Sequence, residues 1–583
     1  MKSFFKILFA SFFGFILGTL LLFGLLIAIG SSSGNKKVTV KENSILHIKL
    51  QEPISERGND NPFSSMGFGE SSIGLYDILD MIDKASADAN IAGIFLDLDQ
   101  VSGGIASLEE IRGALIEFKK SGKYITAYSE VYSQKAYYLA SVADKVYLNP
   151  IGFPEWKGLN AEILFFKGVL EKIGVEPIVI RHGKFKSAIE PFISDKMSDE
   201  NRLQTRTFLN SIWLNLKQAV SKSRKIDEAR LQQIADNAFV TSSAQGLEYK
   251  LVDAIKYRDE VIAELQVKSK AESEKKIPFI SLSDYKDAKD NRPVKKGDKI
   301  AVIFAEGDIV DGKGDDDQVG SEPFAEAIKK ARIDEKVKAI VLRVNSPGGS
   351  VQASEVLWRE LSLAKKAKPL IVSMGNVAAS GGYYIACMAD TIVANPNTIT
   401  GSIGVFGLFF NAKKMLNEKL GVTVDTVKTA QFADILSGSR PMTPSEKDIL
   451  QSRIEAVYDL FITKVAEGRG MSKAQVDSIG QGRVWSGTDA RAIGLVDVFG
   501  GLEKAIEIAA KKAGLENYKL EMLPKKVDPF TRIVEKLSGS SDDSEALIMQ
   551  KALGESYDYY KYINYIRKTN QLQMRMPYNI DIK

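Results

Sequence analysis

The stretch PLIVSMGNVAASGGYYIACMA, residues 369–389, indicates the fold class, because it joins two kinds of secondary structure at one serine. PLIVSMG is predicted to be a buried strand and YYIACMA a helix, with Ser380 in the sharp turn between them. Small residues on both sides of Ser380 suit a turn where backbones approach closely. They equally suit a serine nucleophile, which needs an exposed hydroxyl and free backbone N–H groups nearby. Sites in open α/β sheets lie at this end of the strands, so both interpretations stay open at this point.

The segments before that turn alternate between short apolar runs and helical patterns. In the order strand, helix, strand, helix, they are KIAVIFAEG (299–307), SEPFAEAIKKARI (321–333), KAIVLRVNS (338–346) and SEVLWRELSLAKKA (354–367). This alternation predicts βαβ units around a buried, largely parallel sheet. The fold class is therefore α/β.

The same pattern occurs earlier in the chain as an internal repeat. Moving residues 94–150 forward by 246 positions superimposes identical residues at many places: Ile94 on Ile340, Gly103 on Gly349, Tyr137 on Tyr383 and Pro150 on Pro396. We therefore predict two homologous domains, 43–295 and 296–520. A tail, 521–583, follows them, and the sequence assigns no chemistry to it.

The composition argues against several classes of function. Lys and Arg (78) exceed Asp and Glu (74) by only 4, which does not favour nucleic-acid binding. The single cysteine, Cys387, allows no internal disulfide, and with two histidines a zinc site of cysteine and histidine ligands is not expected. Three aspartates at 315–317 lack the ligand spacing of a calcium loop and are predicted to form a solvated acidic turn. We expect no cofactor and no bound metal.

The N-terminus carries a long uncharged segment. Residues 7–30 are 24 consecutive residues without a charge, and about 20 apolar residues suffice to span a bilayer. We predict a transmembrane anchor within residues 1–30 and a flexible polar linker over 31–42. A long signal peptide cleaved near Gly30 is the alternative. Lysines flank the segment on both sides, so the charge pattern does not decide its orientation.

A second glycine-rich loop, NSPGGS (345–350), follows the strand AIVLRV and precedes Ser380 in the chain. Both loops follow strands of one βαβ arrangement, so both can reach the same sheet edge. The backbone N–H groups of Gly348 and Gly381 are therefore candidates for an oxyanion hole. The alternative is that PGG forms only a turn. Ala378 replaces the first glycine of a G-x-S-x-G elbow, which disfavours the α/β-hydrolase fold.

A serine nucleophile needs a base, and this chain offers few. His47 lies in a predicted strand and is expected to be structural, whereas His182 lies in RHGKFKSAIEPF (181–192), together with Lys184 and Lys186. A lysine can act as a base if burial lowers its pKa enough to leave the amine neutral. Most lysines are solvated surface charges, but Lys186 is flanked by apolar residues.

The repeat separates the two candidate groups. With the offset of 246, Ser380 corresponds to Gln134, and a short alignment around position 432 puts Ala433 opposite Lys186. The second half thus keeps the serine and lacks the lysine, while the first half keeps the lysine and lacks the serine. This complementary loss predicts one composite site built from both halves.

The chain resembles the signal peptide peptidase A family, also called protease IV, in its long membrane-anchored form. The resemblance runs from the N-terminus to about residue 520, and its motifs include KFKSAIEPF (184–192), VNSPGGSVQASEV (344–356), AASGGYYIA (378–386), ANPNTITGSIGVFG (394–407) and the later GLVD (494–497). It implies tandem domains of the fold shared by crotonases and the proteolytic subunit of Clp protease. It also implies a serine protease of the S49 type with a Ser/Lys catalytic dyad.

The resemblance further implies a role for individual residues. Ser380 would be the nucleophile, Lys186 the general base, and Ser402, in TGSIG, a residue that hydrogen-bonds the lysine. The family also implies a homo-oligomer, expected to be a tetramer, at the inner membrane with its body on the periplasmic side. Cleaved signal peptides and other hydrophobic peptides are the implied substrates.

Three other interpretations remain beside this one. The protease could use His182 as its base, or the chain could be a crotonase-like acyl-CoA enzyme, which has a similar fold and glycine-rich oxyanion loops. A crotonase-type acid or base is not evident, which disfavours the second. The third, a non-catalytic membrane scaffold, is disfavoured because Ser380 and Lys186 are both present.

Overall fold

The computed structural model describes residues 4, 6–7, 10–18, 38–59, 72–237, 240–293, 296–525 and 572–576. The strands of the first half are β1 (Ser44–Ile48), β2 (Ile91–Asp97), β3 (Tyr124–Ser129), β4 (Lys145–Leu148), β5 (Glu176–Arg181), β6 (Ala254–Ile255) and β7 (Phe279–Ser281). Those that follow are β8 (Lys299–Glu306), β9 (Asp308–Val310), β10 (Gln318–Gly320), β11 (Val337–Ser346), β12 (Gly348–Ser350), β13 (Leu370–Ala379), β14 (Thr391–Ala394), β15 (Ile399–Gly401), β16 (Phe406–Asn411), β17 (Val484–Ser486), β18 (Val498–Phe499), β19 (Lys519–Leu523) and β20 (Leu572–Arg575).

Helices connect these strands in both halves. The α-helices of the first half are Leu75–Ala87, Ile105–Lys119, Gln134–Ala140, Lys167–Ile173, Glu190–Ile193, Asp199–Arg224, Glu228–Asp236, Ser243–Glu248, Arg258–Lys268 and Leu282–Asp287, with 3₁₀ turns at Ser187–Ile189 and Glu274–Lys276. The α-helices of the second half are Ser321–Ile333, Val351–Ala367, Gly381–Ala386, Pro444–Arg469, Lys473–Ile479, Gly487–Ala492 and Leu502–Lys512, with a π-helical turn at Met415–Lys419.

The two halves repeat one sheet topology. The first half forms a sheet in the order β6-β4-β3-β2-β1-β7, and the second half contains the same order as β18-β14-β13-β11-β8-β19. Neighbours in both series are parallel. In the second half, β15 extends from β13, and β17 pairs antiparallel with β15. The α/β class, the parallel sheets and the internal repeat are therefore confirmed.

The strands predicted in the second half form because their apolar runs are buried on both faces. Residues 339–342 of β11 are at most 1% exposed, as expected for a parallel sheet covered by helices on both sides. Two details differ from the sequence prediction. The strand β13 continues through Ala379, so Ser380 follows it directly, and the PGG turn contains a short strand, β12. Both glycine-rich loops thus leave the same edge of the sheet.

A third sheet joins the halves. Its order is β10-β9-β12-β20-β16-β5, so a strand of the first half, β5, closes a sheet made otherwise of later strands. The pairing of β5 with β16 is antiparallel and runs from Arg181–Phe406 to Glu176–Asn411. This pairing delivers the segment after β5 to the Ser380 end of the second half.

A buried ion cluster also connects the halves. Arg343, in β11, is fully buried and lies 2.8 Å from Glu56 and 2.7 Å from Glu110, both from the first half. The backbone N–H of Leu502 donates a further hydrogen bond to Glu110, at 2.9 Å. Removing one partner of such a cluster leaves an uncompensated buried charge, so the cluster fixes how the halves dock.

At the N-terminus, the structure describes only part of the predicted anchor and linker. Residues 10–18 are helical, but most of the predicted anchor (1–30) and linker (31–42) lie outside the described residues. In the part of the chain that the structure describes, no helix combines the length and apolar character needed to cross a bilayer. At the other end, β19 crosses the boundary predicted at residue 520, so the body extends at least to Leu523.

Candidate active site

Ser380 occupies a strained position between β13 and the short helix Gly381–Ala386. Its backbone has φ 55° and ψ −114°, a conformation that a residue with a side chain adopts at a cost of about 1–3 kcal/mol. Two hydrogen bonds of 2.8 Å hold it there: its N–H donates to the carbonyl of Gly401, and its carbonyl accepts from Tyr384 N–H. The turn therefore directs the hydroxyl in a fixed direction, and such strain concentrates at functional sites.

Lys186 reaches this serine from the first half. Its side chain is fully buried, and Nζ donates to Ser380 Oγ at 2.8 Å, to Ser402 Oγ at 3.0 Å and to the carbonyl of Ser402 at 3.1 Å. Burial away from water lowers the pKa of Lys186 well below its ordinary value. A neutral amine carries a lone pair, so at this distance it can accept the proton of the serine hydroxyl.

Ser402 lies beyond β15 and is fully buried with the other two residues. Its φ of 52° is also in the left-handed region, and its N–H donates to the carbonyl of Arg483 at 2.6 Å. The strained backbone brings both the hydroxyl and the carbonyl of one residue to the amine of Lys186. Ser402 thus fixes where that amine points.

Two glycines make room for Lys186. A Cβ on Gly482, whose φ is 84°, would lie 2.6 Å from both the N and the Cβ atom of Lys186. A Cβ on Gly404 would lie 2.8 Å from the Gly482 Cα and 3.2 Å from the lysine Cδ. The aliphatic stem of the lysine is thus walled by backbone from the second half. Sequence reasoning did not single out either glycine: Gly404 appeared only as one residue of the motif at 394–407, and Gly482 belongs to none of the motifs.

Gln204 connects the segment around Lys186 to the second half of the chain. This buried residue lies in helix Asp199–Arg224, and its Nε2 donates to the carbonyl of Phe185 at 3.1 Å and to Ser187 Oγ at 2.8 Å. Its Oε1 accepts from Val484 N–H at 3.1 Å. One amide therefore holds both neighbours of Lys186 and a strand of the second half. A lone glutamine in a helix gives no sequence signal of such a role.

The two predicted oxyanion glycines lie next to each other. A Cβ on Gly348, whose φ is 98°, would lie 2.5 Å from the N atom of Gly381, so the glycine is required for this approach. The N–H of Gly381 opens a helix, where backbone donors lack intrahelical partners. The N–H of Gly348 donates to Ser346 Oγ at 3.2 Å, within its own loop. The neighbouring N–H of Gly349 is therefore a further candidate.

The other candidate bases lie elsewhere. His182 Nδ1 is 2.6 Å from Glu455, and its ring stacks on Tyr458 with centroids 3.8 Å apart. His47 Nε2 is 2.9 Å from Asp97 within the first sheet. Lys184 is exposed, whereas Lys186, two residues later, is buried. Of the basic residues predicted from sequence, the structure brings only Lys186 into contact with Ser380.

The positions equivalent to the site in the other half have different roles. Gln134, the counterpart of Ser380, donates to the carbonyl of Gly158 at 3.0 Å and accepts from the N–H groups of Lys157 and Gly158. Its amide therefore organises a loop. Ala433 lies in a turn with little burial.

The acidic turn at 315–317 is exposed, and among the described residues no group of three His, Cys, Asp or Glu side chains is arranged to hold a metal ion.

Known proteins with similar sequences include proteases that align with most of the chain. The family model "Peptidase family S49" matches two segments, residues 117–272 and 362–516. "Protease 4" of Salmonella typhi is 41% identical, over 80% of this chain and 76% of that protein. "Protease 4" of Haemophilus influenzae is 38% identical, over 85% of this chain and 83% of that protein.

More distant similarities extend the comparison. "Serine protease SPPA, chloroplastic" of Arabidopsis thaliana is 35% identical, over 86% of this chain and 74% of that protein. A solved structure of a ClpP1 mutant from Listeria monocytogenes covers 35% of this chain and 94% of its own, at 16% identity and a TM-score of 0.24, a value too low to support an argument. One match of the family model lies within each structural repeat, and each of the three relatives aligns with at least 80% of this chain. The chain is therefore a serine peptidase that belongs to peptidase family S49.

Proposed function

We propose that the chain is an endopeptidase in which Ser380 is the nucleophile and Lys186 the general base. The observation that carries this proposal is the 2.8 Å contact between Lys186 Nζ and Ser380 Oγ, made by a lysine that is fully buried and whose pKa burial lowers. A neutral amine at that distance takes the hydroxyl proton as the oxygen attacks a peptide carbonyl. Bond cleavage then returns the proton to the leaving amine, and water hydrolyses the acyl-enzyme.

Ser402 and the glycine loops have supporting roles in this proposal. The hydroxyl and carbonyl of Ser402 orient the amine of Lys186 toward Ser380. The developing negative charge on the carbonyl oxygen is stabilised by backbone N–H groups of Gly381 and of the loop containing Gly348 and Gly349. Since Gly348 N–H donates to Ser346 Oγ, Gly349 is the better donor from that loop.

The location and substrates are proposed from the sequence. We propose that residues 7–30 anchor the enzyme in the inner membrane, with the body on the periplasmic side, as a homotetramer of crotonase/Clp-protease-like tandem domains. The substrates are cleaved signal peptides and other hydrophobic peptides, which an anchored enzyme meets at high effective concentration. Membrane fractionation of the native chain tests the anchor, protease protection tests the side on which the body lies, and cross-linking tests the oligomeric state.

The chemistry is tested by covalent labelling. A serine-reactive phosphonate should label Ser380 in the wild type, as peptide mapping would show, and should label neither Ser380→Ala nor Lys186→Ala. Labelling of another serine would contradict the proposal.

The substrate is tested separately by the lifetime of a radiolabelled signal peptide in membranes that carry wild type or Ser380→Ala. Equal lifetimes would remove signal peptides from the substrates while leaving the hydrolytic chemistry in place.

A further inference from the structure

The first half contains a cavity at the place that corresponds to the Ser380 turn of the second half. Its volume is about 210 Å³, and it is lined by residues that follow β2 and β3, the strands that correspond to β11 and β13. Two of the lining residues, Gln134 and Lys135, correspond to Ser380 and Gly381 when the repeat offset of 246 is applied. The cavity is therefore the counterpart of the candidate active site.

Two residue changes give this place a different chemistry. Gln134 stands where the second half has its proposed nucleophile, and its amide is hydrogen-bonded to the backbone of Lys157 and Gly158. Lys135 stands where the second half has Gly381, whose N–H is a proposed donor to the developing negative charge. A cation thus replaces a backbone donor at this position. The arrangement suits binding of an anion and offers no counterpart of Ser380 for cleaving a bond.

The interior of the cavity is apolar. Five of the side chains that line it are at most 7% exposed and belong to the core of the first half: Val101, Ile105, Leu108, Tyr138 and Leu216. An apolar cavity of about 150 Å³ takes up benzene, so the present cavity has room for one aromatic or branched side chain. A volume of this size favours a single side chain over a long acyl chain.

Charged side chains line the same cavity. Lys157 is exposed and forms an ion pair with Glu155 at 3.2 Å, and Lys135 is half-buried. Two lysines and one carboxylate leave an excess of one positive charge, which is complementary to an anionic ligand. A peptide presents a carboxylate beside an apolar side chain at its last residue, when that residue is apolar. Hydrolysis of a peptide bond creates such an end.

We propose that this cavity is a non-catalytic binding site for the carboxyl-terminal residue of a peptide that ends in an apolar side chain. The apolar side chain enters the interior, and Lys135 and Lys157 bind the terminal carboxylate through charge-assisted hydrogen bonds. The chain would then hold peptides at two places, of which only the Ser380 site cleaves them.

The cavity is separate from the Ser380 site. Leu216, in the wall of the cavity, and Gln204, which holds both neighbours of Lys186, lie on one helix, Asp199–Arg224. They are 12 positions apart, which is about 18 Å at about 1.5 Å per residue. The proposal goes beyond the proposed function, because neither Ser380 nor Lys186 contributes to the second site.

The test locates a bound peptide on the full chain carrying Ser380→Ala, which lacks the proposed nucleophile. The probe is Ala-Ala-Ala-Ala followed by a diazirine analogue of leucine with a free carboxylate. After irradiation, peptide mapping should find the label within the segments that line the cavity, 100–108, 133–138 and 155–159. The same probe with a carboxamide end should label these segments about tenfold less, because it lacks the charge that the lysines bind. Label found only elsewhere in the chain would overturn the proposal.

A charge-reversed variant tests the two lysines. Lys135→Glu combined with Lys157→Glu in the same host should lower labelling by the carboxylate probe about tenfold or more, because like charges then face each other. Lys275→Glu is the matched control, since Lys275 is exposed in the same half but does not line the cavity, and it should change nothing. If the charge-reversed variant has a lower melting temperature, Lys135→Gln with Lys157→Gln replaces it and should abolish the difference between the two probes. Equal labelling by both probes in the Ser380→Ala host would overturn the role of the lysines.

Competition distinguishes a peptide from other apolar carboxylates. Unlabelled Ala-Ala-Ala-Ala-Leu should displace the probe from the cavity segments, and decanoate should do so at least about tenfold less well, because the cavity accommodates one side chain. Equal displacement by decanoate would overturn the peptide as the ligand. A wild type that hydrolyses no peptide would contradict the proposed function but would leave the result of this labelling experiment unchanged.

Discussion

Lys186 Nζ lies 2.8 Å from Ser380 Oγ, although the two residues are 194 positions apart and belong to different structural repeats. Their contact depends on the pairing of β5 with β16 and on Gly404 and Gly482, which leave room for the lysine side chain. The proposed catalytic pair is therefore a property of the interface between the halves.

The identity of the base is tested by substitution. Ser380→Ala and Lys186→Ala should each reduce kcat on the order of 10⁴-fold or more, because the two groups act as a unit. Lys186→Arg should be equally inactive, since a guanidinium does not deprotonate in proteins. Lys184→Ala and His182→Ala are the matched controls and should retain activity in a peptide hydrolysis assay. An inactive His182→Ala beside an active Lys186→Ala would reassign the base.

Activity should depend on pH through Lys186. Burial lowers the pKa of this amine, so kcat/KM should fall as the pH drops through that depressed value and the amine becomes protonated. The measurement is a pH–rate profile on a short peptide. A rate that stays flat from about pH 5 to pH 9 would contradict a lysine base.

Burial of the Lys186 amine should also lower the free energy of unfolding of the protein. With its pKa depressed in the folded state, Lys186 binds fewer protons there than in the unfolded chain, so stability rises with pH between the two pKa values. Lys186→Met should therefore be inactive yet about 1–2 kcal/mol more stable at neutral pH. Urea denaturation at several pH values measures this, and the gain should shrink as the pH rises toward the ordinary pKa of lysine. A loss of stability at neutral pH would contradict the prediction.

Ser402 is predicted to act through its hydroxyl. Ser402→Ala should lower kcat by about 10- to 100-fold with little change in KM, because the amine of Lys186 loses one of the groups that orient it. It should also move the acid limb of the pH profile to lower pH, since an acceptor that favours the protonated amine is lost. Ser402→Gly suits the φ of 52° better but also lacks the hydroxyl, so it should be equally defective. Full activity in Ser402→Gly would indicate a backbone role instead.

Gly482 is predicted to position Lys186, because it lacks a side chain where the lysine packs. Gly482→Ala puts a methyl group 2.6 Å from Lys186 Cβ, and a displacement of about 1 Å can cost about 100-fold in rate. Gly470→Ala is the control, because Gly470 also has a positive φ, 65°, but open space around its Cα. It should lose about 1 kcal/mol of stability and keep its activity. Steady-state kinetics and thermal unfolding of both variants separate strain from displacement.

Much of the second half could be predicted from sequence because its strands are buried on both faces and its helices are periodic. Ser380 could be placed at a strand end for the same reason, and the repeat pointed to a partner in the other half. Gly482, Gln204 and the strand at 572–576 could not be predicted. Their roles depend on which segments meet across the interface, and no local pattern encodes that.

The division of the proposed catalytic pair between two repeats also sets an order in time. After Lys186 has been incorporated, the ribosome must add 194 more residues to reach Ser380, which takes about 10–40 s at about 5–20 residues per second. Throughout that interval the first repeat holds an amine with nothing to activate. With this pair as the catalytic groups, proteolytic activity begins only when the second repeat has folded against the first, and the growing chain is protected from its own chemistry during synthesis.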